Sequence, residues 1–294
     1  MSASPVLLVT GASGHLGRRV IELLLDGKVG RVIAGTRDPA KVADLVDKGA
    51  EVRGVDFDRP ETLPEAFKGV DRLLLISTDA LPVRKRQQRA AVEAATKAGI
   101  GHIVYTSAPN PHPSRTDAVT DSHYWTEQAI AATPAGFTIL RNNIYAEIIM
   151  LGLGNALKSG QLVTATGTGG RNYVTREDCA AVAAAVLADD FAGRRIFDVT
   201  GPAPVTQDEI AAWASEIAGK PIVHVPVSAE ALRQGLISAG LPEVYAEALT
   251  GFDIDAARGY HAIATPVVET YAGRAPTAVK DFLTANAGAI RAMA

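Results

Sequence analysis

The feature that most limits the possible folds is an alternation of short apolar runs and helical segments from residue 5 to residue 140. The apolar runs are 5–9 (PVLLV), 31–35 (RVIAG), 51–55, 72–77 (RLLLIS), 102–107 (HIVYTS) and 137–140 (FTIL). Between them lie helical patterns at 18–25, 39–48, 60–67, 83–98 and 118–132. Strands separated by whole helices do not pair as hairpins; they pair in parallel through right-handed crossovers. The expected fold class is α/β, a doubly wound parallel sheet of the Rossmann type.

The second half is less regular. It predicts helices at 146–159 and 176–188, a short strand at 171–174 and a late strand at 195–199. Thr206 and Glu209 have the spacing of a capping box, which opens a helix to Ala218. A strand at 222–225, a helix capped by Ser228 through Ala239 and a last helix at 276–285 follow. The expected division is a dinucleotide-binding domain at 1–145, its sheet completed by the strand near 195–199. A smaller C-terminal α/β substrate lobe at 146–294 would cover the sheet's carboxyl edge, where ligands of open α/β folds bind.

Composition excludes several classes of function. The formal net charge of -3 gives no reason to expect nucleic acid or a membrane surface as partner. The run Arg84-Lys85-Arg86-Gln87-Gln88-Arg89 has no interleaved aromatics and is expected to be a solvated helix face. A single cysteine, Cys179, excludes an internal disulfide and a multi-cysteine metal site. The histidines have no metal-ligand spacing, and His102 and His123 are expected to be packing or surface residues, with His112 in a loop. There is no GxSxG elbow for acyl chemistry. No apolar stretch approaches the ~20 residues of a membrane span, and no signal peptide is evident, so a soluble cytoplasmic protein is expected.

The first strand runs into Gly11-Ala12-Ser13-Gly14-His15-Leu16-Gly17, and a helix follows at once. In that setting Gly11 takes the tight turn, Gly14 lets a pyrophosphate approach the backbone, and Gly17 lets the helix pack closely. The helix N-terminus favours the phosphate charge. The alternative is a glycine-rich turn that holds no ligand. The end of the second strand selects the cofactor. An acidic residue there would bind the ribose of NAD, whereas Arg37 can pair with a 2′-phosphate, so NADPH is expected ahead of NADH. Asp38 either repels that phosphate or caps the next helix. Asp56 and Phe57 end the third strand and either hold the adenine or anchor their loop. Ser77 and Thr78 end the fourth strand beside the ribose and phosphates. Thr106, with Ser107, ends the fifth beside the nicotinamide. Each hydroxyl has the alternative role of satisfying local backbone groups.

Together VTGASGHLG, GTRDPAK, the LLLIS strand, YTS and LRNNIYAE make the chain resemble the NmrA-like atypical short-chain reductases. Within them it is similar to the type-2 NAD(P)H:quinone oxidoreductases and triphenylmethane-dye reductases, over essentially its whole length, including the TREDCAA and AGRAPT segments. The resemblance implies a Rossmann domain, a smaller C-terminal substrate lobe and NADPH. It puts the adenosine end of the cofactor on the Gly11–Leu16 turn and Arg37, and the rest on Ser77, Thr78 and the Arg141–Ala146 segment.

Ordinary short-chain dehydrogenases transfer a proton through a Tyr activated by a Lys four residues on. No YxxxK occurs here: Tyr124 stands at about the right place, but residue 128 is Gln. An uncharged neighbour cannot favour the phenolate by charge attraction, so alcohol–carbonyl interconversion is disfavoured. A quinone needs no such dyad, because it accepts hydride readily and yields a stable phenolate. On this reading Asn142 and Tyr145 border the nicotinamide and the quinone or similar conjugated acceptor, and Tyr124 donates to the developing oxyanion. Alternatively Asn142 is a turn residue, Tyr145 a core residue and Tyr124 a helix-face aromatic. The rival function is a non-catalytic NAD(P) sensor that controls a partner protein.

Overall fold

The computed structural model describes residues 4–115 and 117–294. In chain order the elements are β1 (Val6–Val9), α1 (His15–Asp26), β2 (Arg31–Thr36), α2 (Ala43–Asp47), β3 (Glu51–Gly54), α3 (Leu63–Ala66), β4 (Arg72–Leu75), α4 (Arg84–Lys97), β5 (His102–Ser107), α5 (Ala118–Ala131) and β6 (Gly136–Asn142). They continue as α6 (Glu147–Ser159), β7 (Gln161–Thr164), α7 (Arg176–Ala188), β8 (Arg194–Val199), α8 (Gln207–Ala218), β9 (Val223–Pro226), α9 (Ala229–Ser238), α10 (Glu243–Ala257), α11 (Val267–Ala272), α12 (Val279–Ala285) and α13 (Ala287–Met293).

The main sheet is seven-stranded, in the order β3-β2-β1-β4-β5-β6-β8. β1 pairs in parallel with β2 and β4, β2 with β3, and β5 with β4 and β6. The expected doubly wound Rossmann sheet is thus present, with β8 as its last strand. Strand order reverses between β1 and β4, so the turn after β1 opens at the topological switch point. Leu7, Leu8, Ile33, Leu73, Leu74, Leu75 and Tyr105 are fully buried, as strands covered on both faces require.

The chain forms two compact units. The first contains the described residues up to Pro113, Thr120–Arg141 and Cys179–Phe197; the second contains Ser114–Val119, Asn142–Asp178 and Asp198–Ala294. The first unit is therefore not one continuous segment, because most of α7 and the start of β8 return to it. The second has its own core, including Ile149, Leu153, Tyr173, Ile210, Leu283 and Ile290. Thr206 and Glu209 form the expected capping box, and Ser228 caps α9. The strand expected at 171–174 is not formed. Arg171 and Val174 make isolated bridges, to Val205 and Tyr145 respectively. The strand that pairs with β9 is β7, in parallel.

Candidate active site

The turn after β1 is built by its glycines. Gly11 has φ +65, in the left-handed region that favours glycine. A Cβ on Gly17 would collide with the Gly11 carbonyl, so Gly17 lets α1 lie against the turn itself. α1 has Gly14 as N-cap and no side-chain cap or acidic residue in its first turn. The N–H groups of Ser13, His15 and Leu16 find no partner among the described residues. This leaves the positive end of the helix dipole and its orphan donors open. Gly11, Ser13, Gly14 and His15 are exposed around it, whereas Ala12 and Leu16 are buried. The Ala12 N–H is used by the Gly35 carbonyl at 3.0 Å, so Ala12 serves the turn's shape. The exposed glycine face and open donors fit a dinucleotide pyrophosphate.

Beyond β2, Arg37 is exposed. Asp38 accepts from the Ala40 N–H at 3.2 Å and caps the short turn that starts at Pro39. The capping role expected as one alternative for Asp38 is thus present. The Asp58 carboxyl is held below its ordinary range, first by the hydrogen bond from Gln87, then by Arg86, with the Arg37 charge adding to both. The Asp56 carboxylate accepts from the Asp58 N–H at 3.0 Å, a local turn, and Phe57 packs into the first unit's core. Both residues thus have structural work at the end of β3.

The strand-end hydroxyls form a ladder. Thr10 Oγ1 accepts from the Ile76 N–H at 2.9 Å, and Thr106 Oγ1 accepts from the Ser77 N–H at 2.9 Å. Ser77 Oγ lies 3.3 Å from Thr106 Oγ1, and Thr78 Oγ1 donates to Gln87 Oε1 at 2.8 Å. Glu127 on α5 gathers the next group. It accepts from Ser107 Oγ at 2.7 Å and from Arg141 Nε and an Arg141 terminal nitrogen at 3.0 and 2.7 Å. The Arg141 guanidinium is thus held bidentately by a buried carboxylate. Glu127 carries no signal in the sequence that marks this role, although it adjoins Gln128.

Tyr124 is partly buried on α5 with its ring edge-on to Trp125, centroids 5.2 Å apart, and Gln128 is exposed. The basic run on α4 is not simply a solvated face. Lys85, Arg86 and Arg89 pair at the surface with Asp121, Asp58 and Glu93, but Arg84, Gln87 and Gln88 are buried. An Arg84 terminal nitrogen lies 3.3 Å from His123 Nε2, and His123 Nδ1 lies 2.7 Å from the Tyr105 hydroxyl. Burial first, and then the Arg84 charge, push His123 far below the ordinary histidine value, so it is neutral at pH 7.

Within the second unit, Asn142 Nδ2 donates to the Tyr145 hydroxyl oxygen at 3.2 Å. Asn142 is buried, and its Oδ1 has no hydrogen-bond partner among the described residues. The two residues predicted from LRNNIYAE are therefore in contact. Tyr145 bridges Val174, and this places it beside the first residue of α7. The Arg176 guanidinium carbon lies 4.9 Å from the Tyr145 ring centroid. Arg176 donates its backbone N–H to Glu147 Oε1 at 3.0 Å, and its guanidinium is 3.7 Å from Glu147 Oε2. Arg176 and Glu147 were not singled out from the sequence. Their only signal was membership of the TREDCAA and LRNNIYAE segments. No cluster of possible metal ligands occurs among the described residues.

A doubly wound sheet with an open, uncapped helix end at its switch point defines a dinucleotide-binding protein. The family model described as NAD(P)H-binding matches residues 11–190. Quinone oxidoreductase 2 of Escherichia coli is 32% identical over 255 residues, which is 86% of this chain and 89% of that protein. The crystal structure of an NADPH-dependent quinone oxidoreductase from Escherichia coli, complexed with NADPH, superposes with a TM-score of 0.89 at 30% identity, covering 95% of this chain and 99% of that one. The Citrobacter sp. triphenylmethane reductase complexed with NADP(H) gives 0.85 at 35% identity, over 95% and 99%. The chain belongs to the NAD(P)H-binding family, within its NmrA-like group.

Proposed function

We propose that this protein is an NADPH-dependent reductase that passes hydride directly to a quinone or similar conjugated acceptor. The observation that carries this reading is the open N-terminus of α1, whose exposed Gly11–His15 turn offers uncommitted backbone donors at the sheet's switch point. Likeness over nearly the whole chain to a quinone oxidoreductase complexed with NADPH supports it. The pyrophosphate lies on the Gly11–Gly17 turn, and exposed Arg37 takes the 2′-phosphate, with NADH as the weaker cofactor. Ser77, Thr78, Thr106 and Arg141 shape the remaining wall, Arg141 as a charge already fixed by Glu127. Asp56 and Phe57 support the adenosine side through their loop. Reduced nicotinamide supplies the hydride. Asn142 and Tyr145 orient the acceptor, and Tyr124 adds a phenol at the α5 face. The reading needs no metal and no Tyr–Lys dyad.

A cytoplasmic site of action follows from the use of NADPH and suits Cys179, a buried free thiol; no described helix is long and apolar enough to cross a membrane. The test is NADPH and NADH consumption with a panel of simple quinones and cationic dyes, run beside binding titrations of the same cofactors. Turnover with NADPH preferred is the expected result. Tight NADPH binding with no acceptor reduced would instead identify a cofactor sensor.

A further inference from the structure

The Lys that would activate Tyr124 in an ordinary dyad is replaced by Gln128, yet a cation does stand against another tyrosine. Arg176 lies over the Tyr145 ring at 4.9 Å; its backbone N–H is bonded to Glu147 Oε1, and its guanidinium stands 3.7 Å from Glu147 Oε2. A cation over an aromatic face is attracted to the ring, and more strongly to a phenolate, whose negative charge adds to the quadrupole. Asn142 contributes from another direction. Its Nδ2 hydrogen bond uses a lone pair of the phenol oxygen and does not consume the O–H. The same bond strengthens when that oxygen becomes charged. Among the contacts of Tyr145 described above, Arg176 from α7 is charged and pairs in turn with Glu147 from α6, whereas Asn142 and Val174 are neutral.

We infer that Arg176 is a positioning residue that makes Tyr145 the proton donor of quinone reduction, in place of the missing Tyr–Lys dyad. The inference rests on the quinone-reductase reading above. A quinone that accepts hydride, with its two electrons, becomes a hydroquinone monoanion while the cofactor is oxidised to NADP. The Tyr145 O–H bond then breaks, its proton moves to the acceptor oxygen, and water reprotonates the phenolate. A cationic triarylmethyl dye behaves differently. Hydride adds to its central carbon and gives the neutral leuco form, with no proton to deliver. The two acceptors therefore separate hydride transfer from proton transfer within one enzyme.

The experiment compares wild type with Tyr145→Phe, Arg176→Met and Arg176→Lys on a benzoquinone and a triphenylmethane dye. The expected quinone-to-dye ratio of kcat falls about a hundredfold in Tyr145→Phe. It falls about tenfold in Arg176→Met and largely recovers in Arg176→Lys. A cofactor-free readout accompanies this: the ultraviolet tyrosinate band of Tyr145, obtained by subtracting the Tyr145→Phe titration. Its midpoint rises in Arg176→Met and stays near wild type in Arg176→Lys. An unchanged ratio, or an unmoved tyrosinate midpoint in Arg176→Met, overturns the inference. Wild type inactive on both acceptors refutes the reductase reading instead, a result distinguishable because the tyrosinate titration still reports the Arg176–Tyr145 pairing.

Discussion

At the scale of single residues, two positions carry the cofactor argument. A Cβ at Gly17 would meet the Gly11 carbonyl, so Gly17→Ala must push α1 off the turn or distort the turn. Chemical denaturation is expected to show a loss of about 1–3 kcal/mol, and a fluorescence titration weaker NADPH binding. Arg37 is exposed beyond β2, and on the proposed reading it meets the cofactor's 2′-phosphate. Arg37→Gln is expected to weaken NADPH binding about 10- to 100-fold, the worth of a charge-assisted hydrogen bond. NADH binding should stay nearly constant, so the variant's preference between the cofactors is the measurement. The backbone roles of Gly11 and Gly17 were legible in the sequence, since GxxGxxG between a strand and a helix already fixes backbone geometry. The Arg176–Tyr145 pair was not, because it depends on a bridge between Tyr145 and Val174 that no local pattern announces.

At the scale of elements, the alternation placed β5 and α7 at their observed bounds and most other strands and helices within a few residues. It failed where the signal was short or uniform. β7 is a four-residue strand and gave too little periodicity to notice. α10 carries apolar, small and acidic residues on all sides and shows no clear stripe. The α4 charge run illustrates a different limit: sequence shows that Arg84 is charged, but only packing shows that it turns inward to His123. The strands also set an acid limit. His102, at the start of β5, is pushed down to about 4 by burial first and by the Arg72 charge next. An unfolded chain protonates this imidazole near the ordinary 6.5, so between those values the unfolded state binds the extra proton and stability falls as pH falls. Urea unfolding at pH about 7.5 and about 5 should reveal a loss of roughly 2 kcal/mol from this group. His102→Gln, which keeps a donor for Thr138, should flatten that slope. An equally steep slope in the variant would assign the acid sensitivity to other groups.

At the scale of the whole molecule, the proposed reaction draws on a sheet that binds a dinucleotide and on a second unit that carries its own polar array. The first was readable from strand order and the glycine turn. The second was readable only as a set of residues, Asn142 and Tyr145, whose mutual contact and cationic neighbour needed the fold. Cofactor binding should also stabilise the molecule. NADPH at a hundred times its Kd adds about 2.7 kcal/mol to the folded state, and a thermal shift larger for NADPH than for NADH would agree with Arg37 reading the 2′-phosphate. Direct hydride delivery from NADPH to a conjugated acceptor is read out by isotope transfer. NADPH carrying deuterium at the transferable position of its nicotinamide is incubated with the protein and a cationic triphenylmethane dye, and the leuco product is analysed by mass spectrometry. One deuterium on the central carbon is the expected result. Bound NADPH left unconsumed, or a leuco product labelled only when the solvent is deuterated, would contradict it.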